Sequence, residues 1–457
     1  MNYVGFLRRK AQIDGDHGFE PLWMPDAMFD YQAHLAAWAC RKGRAATFAD
    51  CGMGKTLIQL VWAENVVRKT NGRVLVLTPL AVSPQTVREG DRFGISVKRS
   101  ADGKSLPASG IVVTNYEKLH HFSPGDFEGV VCDESSILKN FDGATKAAVT
   151  EFMRTIRYRL LCTATASPND YHELGTSSEA LGYLGYSDMI GRFFKEVVIK
   201  DYLGWGRKTY RFRGHAEEPF WRWVCSWARA CRKPSDLGFD DRGMVLPELI
   251  ETEVVIPSAE PLPGFLFAGL ARTLQEQRDE RRASLRQRCE KAAEIVAAHK
   301  GFSVVWCHLN PEGDMLEKII PNAVQISGGM SDEKKEERLA AFAAGQIPVL
   351  VTKPKIGCFG LNWQHCHNVV TFASHSFEQY YQSVRRCWRF GQKHPVKVSV
   401  VSTEGEAGIL ANLRRKADAA ERMFAAMTRH MTEAMEIDHR RYFTQTEEVP
   451  SWLSQSK

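Results

Sequence analysis

The chain has 457 residues, 44% hydrophobic and 25% charged, with 60 Lys and Arg against 54 Asp and Glu for a formal net charge of +6. That length exceeds what one hydrophobic core sustains, so two domains plus extra structure are expected, and the composition excludes a disordered or fibrous chain. A charge this mild admits a polyanionic partner without requiring one. The start is basic at Arg8, Arg9 and Lys10 but lacks the apolar core of a secretory signal, and no later run approaches a membrane span. None of the 11 cysteines forms a CxxC pair, which points to reduced thiols in a cytoplasmic protein. His365, Cys366 and His367 crowd too closely for tetrahedral ligation, so no zinc is expected.

From about residue 26 to 169, short β-branched runs alternate with helical stretches, the pattern of a parallel sheet with crossover helices. Strands are expected at 46–48, 73–77, 110–113, 129–132 and 159–162, each ending in a loop of small or polar residues, where open α/β sheets place their ligands. The first such loop, Ala49-Asp50-Cys51-Gly52-Met53-Gly54-Lys55-Thr56, opens a helix over 57–67. Gly52 and Gly54 would let backbone N–H groups close around phosphates, Lys55 would reach the β- and γ-phosphates, and Thr56 would ligate Mg²⁺. Ala49 stands where the GxxxxGK[ST] pattern has its first glycine, so the loop alone is also compatible with a Gly-rich turn. Further on, the apolar strand ending at Cys132 delivers Asp133-Glu134 into a loop. Asp133 would hold Mg²⁺ and Glu134 would orient and deprotonate the attacking water.

The segment 175–257 breaks the rhythm and interleaves aromatic with basic residues. Arg207, Lys208, Arg211 and Arg213 suit nucleic-acid phosphates. Trp221, Trp223 and Trp227 are spaced for base stacking or, equally, for the packing face of a helical subdomain. A second alternating region, about 291–401, has expected strands at 302–306, 323–326, 349–351, 368–372 and 396–401, and a helix opening at Ser331 as N-cap. In it, Gln382, Arg386 and Arg389 recur at helical spacing, so two guanidinium groups could cross a cleft to a γ-phosphate as arginine fingers. Arg385 reads as a nucleic-acid or solvent-facing residue. The tail after Glu404 reads as helix followed by a polar end.

The ordered set resembles the superfamily-2 DEAD/DEAH-box helicases and, within them, the Swi/Snf-type DNA-dependent ATPases, particularly the compact bacteriophage and prophage forms. Phe29-Asp30-Tyr31-Gln32 resembles the adenine-reading Q element, with Gln32 on the base, and Ala49 to Thr56 matches AxxGxGKT, which accounts for the missing glycine. Leu77-Thr78-Pro79-Leu80 and Thr114-Asn115-Tyr116-Glu117 resemble two strand-end loops on the nucleic acid, carried by Thr78, Pro79, Thr114 and Asn115. Asp133 to Ser136 matches the DExx box, with Ser135-Ser136 departing from the usual ending, and Thr163-Ala164-Thr165-Ala166 resembles the element coupling hydrolysis to movement. Gly357 to Asn362 is similar to the GxGLN loop, placing Gly360 at the nucleotide and Asn362 on nucleic acid. Gln382 to Arg389 fits QxxGRxxR, with Gln382 as a coupling residue and Arg385 in place of glycine, followed by Phe390-Gly391-Gln392.

The resemblance implies an α/β fold of two tandem RecA-like domains, at 1–174 and 258–404, with an aromatic and basic insertion at 175–257 and a helical tail at 405–457. It also implies an ATPase using ATP and Mg²⁺, with Asp50, Cys51 and Met53 completing the phosphate loop, that moves along DNA, duplex DNA being favoured. Cys51, near a helix N-terminus, would tend toward thiolate and make the ATPase sensitive to thiol reagents. The alternatives are an RNA- or single-strand-directed helicase and an ATP-gated clamp serving as motor subunit of a larger complex. The remaining segments show no nuclease carboxylate cluster, so a replication, recombination or restriction partner would supply any cutting.

Overall fold

The structure, a computed structural model, describes residues 17–79, 82–139, 142–200, 206–241, 243–257, 274–357 and 362–443. Its first lobe is built on seven strands: β1 (Arg44–Ala49), β2 (Arg73–Thr78), β3 (Val97–Arg99), β4 (Gly110–Asn115), β5 (Gly129–Asp133), β6 (Tyr158–Cys162) and, much later in the chain, β9 (Ala228–Cys231). They pair in parallel in the order β3-β4-β2-β5-β6-β1-β9. Parallel strands covered on both faces read as continuous apolar runs, and every residue of β5, β6 and β9 is buried. Gly43 turns the chain from the helix Asp30–Lys42 into β1 at φ 70, and a Cβ there would lie 2.6 Å from the backbone of Gly18, so both the conformation and the close approach call for glycine.

The second lobe has a six-stranded parallel sheet: β10 (Leu249–Ile256), β11 (Ser303–Trp306), β12 (Ala323–Ile326), β13 (Val349–Thr352), β14 (Asn368–Phe372) and β15 (Val396–Thr403), in the order β10-β15-β14-β11-β13-β12. Ser331 caps the helix Asp332–Ala343 as its sequence predicts, its side chain accepting from the Lys334 backbone. Two parallel sheets flanked by helices are the tandem RecA-like arrangement expected.

Three strands of these two sheets lie outside the expected set, as do both strands of a separate hairpin. β3 is three residues long, two of them charged, and β9 reads Ala-Arg-Ala-Cys, without a β-branched residue. β10 mixes apolar with acidic residues because it is an edge strand, largely exposed. Through β9 and β10 the segment 175–257 donates one strand to each sheet. Between them stands an antiparallel hairpin, β7 (Phe194–Lys200) and β8 (Gly206–Phe212). The helix Glu217–Trp227 buries Trp221, Trp223 and Trp227 in the first core, so the packing reading of these residues is the one realised.

The tail ties the lobes together. Ile409 and Leu410, at the start of the helix Ala407–Phe443, belong to the second lobe's core, whereas Met423, Phe424, Met427 and Met431 belong to the first. The spacing of those four is one helical stripe. At 1.5 Å per residue the stretch from 409 to 431 spans about 33 Å, enough to reach across both lobes. Met427 is fully buried, and its carbonyl accepts from the Cys225 thiol. Met427→Ala is expected to lower stability by about 2–5 kcal/mol, measured by urea unfolding; a change below about 0.5 kcal/mol would show that the helix does not hold the first lobe.

Candidate nucleotide site and inter-lobe cleft

β1, β6 and β5 are neighbours in the first sheet, so the loops at their carboxyl ends converge. The phosphate loop follows β1, Thr163 follows β6, and Asp133-Glu134 ends β5. Gly52 (φ 90) and Gly54 (φ 76) take left-handed conformations, and a Cβ on Gly54 would fall 2.1 Å from Gln32 Nε2. Lys55 leads the helix Lys55–Thr70, and its ammonium donates to the Ala49 carbonyl at 3.0 Å. Asp133 Oδ1 accepts from Gln59 at 2.6 Å, and the Asp133 carbonyl accepts from the Tyr116 hydroxyl at 2.7 Å. Glu134 holds φ 51, a strained value for a side-chain-bearing residue of the kind that clusters at functional sites. Thr163 donates to Glu134 Oε2 at 3.2 Å and accepts from the Thr165 backbone at 3.1 Å, joining the loop after β6 to the acidic pair.

Gln32 is buried and fully occupied. Its Oε1 accepts from Phe29 N at 3.1 Å, and its Nε2 donates to the Met53 carbonyl and the Tyr31 hydroxyl, both at 3.2 Å. In this arrangement it braces the phosphate loop. The neighbouring Phe29 ring is 58% exposed, stacks on Tyr31 and forms part of the cavity wall.

That cavity measures about 420 Å³ and brings Gln32, Cys51, Gly52, Gly54, Lys55, Thr56, Asp133 and Glu134 of the first lobe together with Asn362, Arg386 and Arg389 of the second. Its size lies in the range of small-molecule sites. Burial pushes the Asp133 and Glu134 carboxyls above their ordinary values, partly offset at Asp133 by Gln59 and Lys55 and at Glu134 by Lys55 and Arg386. Burial alone would lower Lys55, but Cys51, Glu134, Asp133 and Asp50 together outweigh it and raise the ammonium's pKa. Burial, then Arg386, pulls Arg389 down to about 10. A lysine, a hydroxyl and two carboxylates facing two arginines fit a triphosphate with its divalent cation.

Arg386 and Arg389 follow the helix Phe377–Val384 in the turns beyond its end, so the helical spacing expected of Gln382, Arg386 and Arg389 does not continue past Val384. Arg386 is 8% exposed, and Arg389 donates to the Asn362 side chain. Asn362, expected on nucleic acid, therefore lies on the cavity shared with Lys55 and Glu134. Gly360 lies outside the described residues. Arg385 is neither solvent-facing nor set for nucleic acid: it is fully buried and ion-paired with Asp50. Cys51 is also buried, at 6% exposure, which shields the thiol expected to be reactive. Sequence reasoning missed Gln59 and Tyr381 as well. Tyr381 and Arg385 share a helix face at i, i+4, the one signal that pairs them.

A second cavity, about 560 Å³, opens between the lobes and is lined by Pro79, Tyr116, Ser136, Lys139, Lys355 and Gln382 among others. Glu378 bridges it by bonding to both Ser136 and Lys139. Arg99, Lys139, Lys335 and Lys355 face Glu117, Glu134, Asp332, Glu336 and Glu378, so its charge is mixed. Thr78, Thr114 and Asn115 are buried at the ends of β2 and β4. Thr78 Oγ1 pairs with Ser83 at 2.8 Å, while Thr114 Oγ1 and Asn115 Oδ1 are buried without a hydrogen-bond partner among the described residues. Arg211 is exposed, Arg213 donates to the Phe194 carbonyl at 2.6 Å, and Lys208 pairs with Glu196 on the hairpin, away from the cavity linings. The side chain of Arg207 lies outside the described residues. No described helix is long and apolar enough to cross a membrane.

Residues 285–391 match the family model of the helicase conserved C-terminal domain. That match lies on the second lobe, after the lobe that carries the Gly-rich loop and the acidic pair. Among solved structures, the chain is similar to a Sulfolobus solfataricus SWI2/SNF2 ATPase core in complex with dsDNA, at 15% identity and a TM-score of 0.43, over 90% of this chain and 96% of that one. No curated protein matches the sequence.

A carboxyl whose folded-state pKa is raised binds its proton more tightly folded than unfolded. Its charge therefore subtracts from stability at neutral pH, and the loss disappears as the pH falls through the raised value. Glu134→Gln is thus expected to melt higher than the wild type at pH 7, with the gap closing toward acid. Thermal melts across pH 4.5–7.5 would check it; a variant that melts lower at pH 7 would show that Glu134 serves stability.

Proposed function

We propose that this chain is a Swi/Snf-type ATPase that couples ATP hydrolysis to movement along DNA, duplex DNA being favoured, in bacterial or phage DNA metabolism in the cytoplasm. The observation that carries the reading is the single cavity walled by Lys55, Thr56, Asp133 and Glu134 from one lobe and Arg386 and Arg389 from the other. Lys55 and the loop backbone would bind the β- and γ-phosphates, and Glu134, kept from flexing by Thr163, would orient the attacking water and accept its proton. Thr56 and Asp133 would hold Mg²⁺, which when bound neutralises phosphate charge. Arg386 and Arg389 would stabilise the charge developing on the transferred phosphoryl group.

Because the two walls belong to different lobes, nucleotide affinity depends on how the lobes sit, which is how binding and release would become motion. The DNA assignment rests on the loop series ending Phe390-Gly391-Gln392 and on Thr114 and Asn115, whose buried polar atoms at strand ends have no hydrogen-bond partner among the described residues. The mixed charge of the wider cleft favours contacts spread over both lobes and the hairpin above a single basic channel.

Steady-state ATP hydrolysis by the full chain, alone and with duplex DNA, single-stranded DNA or RNA, tests this. Duplex DNA is expected to stimulate most, and Arg389→Ala to lower turnover on the order of 10³-fold. Stimulation by single strands or RNA alone would replace duplex translocation with a conventional helicase activity, and nucleotide binding without turnover would leave a clamp.

A further inference from the structure

Asp50 lies two residues ahead of Gly52 and is 2% exposed. Its Oδ1 accepts from the Cys51 backbone at 2.6 Å and from the Tyr381 hydroxyl at 2.6 Å, and its Oδ2 from Arg385 Nη2 at 2.5 Å. The same Nη2 donates to the Cys51 carbonyl at 2.9 Å. Two residues of the second lobe thus grip the strand end from which the phosphate loop departs. Lys55 also reaches this stretch, its ammonium lying 3.4 Å from the Asp50 carbonyl.

Stability is a poor reason for the pair. Arg385 is completely buried; its guanidinium lies over the Trp388 ring at 4.8 Å, but Nε and Nη1 have no hydrogen-bond partner among the described residues. Half-satisfied buried guanidinium groups are costly, and a buried ion pair often stabilises less than apolar residues of the same volume. Beside a phosphate site the arrangement does have a use. An unpaired Asp50 carboxylate would repel the phosphates that the loop's N–H groups and Lys55 attract, and low-dielectric surroundings make that repulsion strong. Arg385 cancels that charge. It also fixes the turn that carries Arg386 and Arg389.

We infer that Arg385, assisted by Tyr381, is a positioning residue for nucleotide: it neutralises Asp50 and seats the phosphate loop against the turn of the second lobe that carries Arg386 and Arg389. The inference rests on the ATP reading above and adds a group to it that touches no substrate. It has a signature that a merely structural pair lacks, because the two partners carry opposite signs toward phosphate. Arg385→Gln is expected to weaken binding of a fluorescent ADP analogue by at least about tenfold. Asp50→Asn is expected to tighten it, and the double variant Asp50→Asn/Arg385→Gln to recover most of what Arg385→Gln loses. KM for ATP should follow the same order, with kcat changing less.

Titrations of the four full-length proteins and of Tyr381→Phe, each with a thermal melt, decide the matter. Tyr381→Phe removes one hydrogen bond without burying a charge and is expected to weaken binding several-fold, which keeps the test open should Arg385→Gln fail to fold. The inference is overturned if Arg385→Gln binds within twofold of the wild type, if Asp50→Asn and Arg385→Gln weaken binding alike, or if the double variant binds no better than Arg385→Gln. Should Arg385→Gln not fold, Tyr381→Phe binding within twofold of the wild type overturns it. Absence of binding by the wild type would bring down the ATP reading with it, an outcome distinct from all of these.

Discussion

A charge in a protein interior is costly unless an opposite charge or a set of hydrogen bonds meets it, and here Asp50 and Arg385 meet from two different lobes. The charge of each is met by the other across the lobes, so the relative placement of the lobes is written into the burial of both. Everything chemically notable in the chain lies close to that junction. Asp50 begins the phosphate loop and Arg385 precedes Arg386, so an ion pair that fixes one lobe on the other also fixes Lys55 opposite the two arginines. Glu378 repeats the device on the other cavity by reaching Ser136 and Lys139, and the helix Ala407–Phe443 adds an apolar link by entering both cores.

Sheet order does the rest of the positioning. Since β6 lies between β1 and β5, the phosphate loop, Thr163 and the acidic pair share one edge without any long excursion of chain. The hydrogen bond from Thr163 to Glu134 is then a local consequence of adjacency. It gives the reacting end of the site a mechanical link to the loop that follows β6, and the small cavity beside that loop is closed by Phe377 and Tyr381 of the second lobe and by Met423 and Phe424 of the tail helix. A change at Glu134 therefore has a short, packed route to the lobe boundary.

Much of this was legible in the sequence, for physical reasons. Ten of the strands announce themselves because a parallel strand covered on both faces is mostly apolar, and the site loops follow directly from strand ends. Ser331 was readable because an N-cap is a local event. What escaped was non-local. β9 has no β-branched residue, and only its place beside β1 makes it a strand. Trp221, Trp223 and Trp227 fit two roles on spacing alone, and burial alone separates them. Arg385 looked like a surface arginine because its partner lies 335 positions away, and the bond from Gln32 to the Met53 carbonyl escaped because it spans 21 positions.

The central claim is that one nucleotide is held between the two lobes. The most direct measurement is a structure of the full chain bound to duplex DNA and MgADP with a metal-fluoride mimic of the transferred phosphoryl group. The account predicts the mimic enclosed by Lys55, Glu134, Arg386 and Arg389, the Asp50–Arg385 pair intact behind it, and DNA against Thr78, Pro79, Thr114 and Asn115. A nucleotide seated on the first lobe alone, with Arg386 and Arg389 turned away from it, would contradict it.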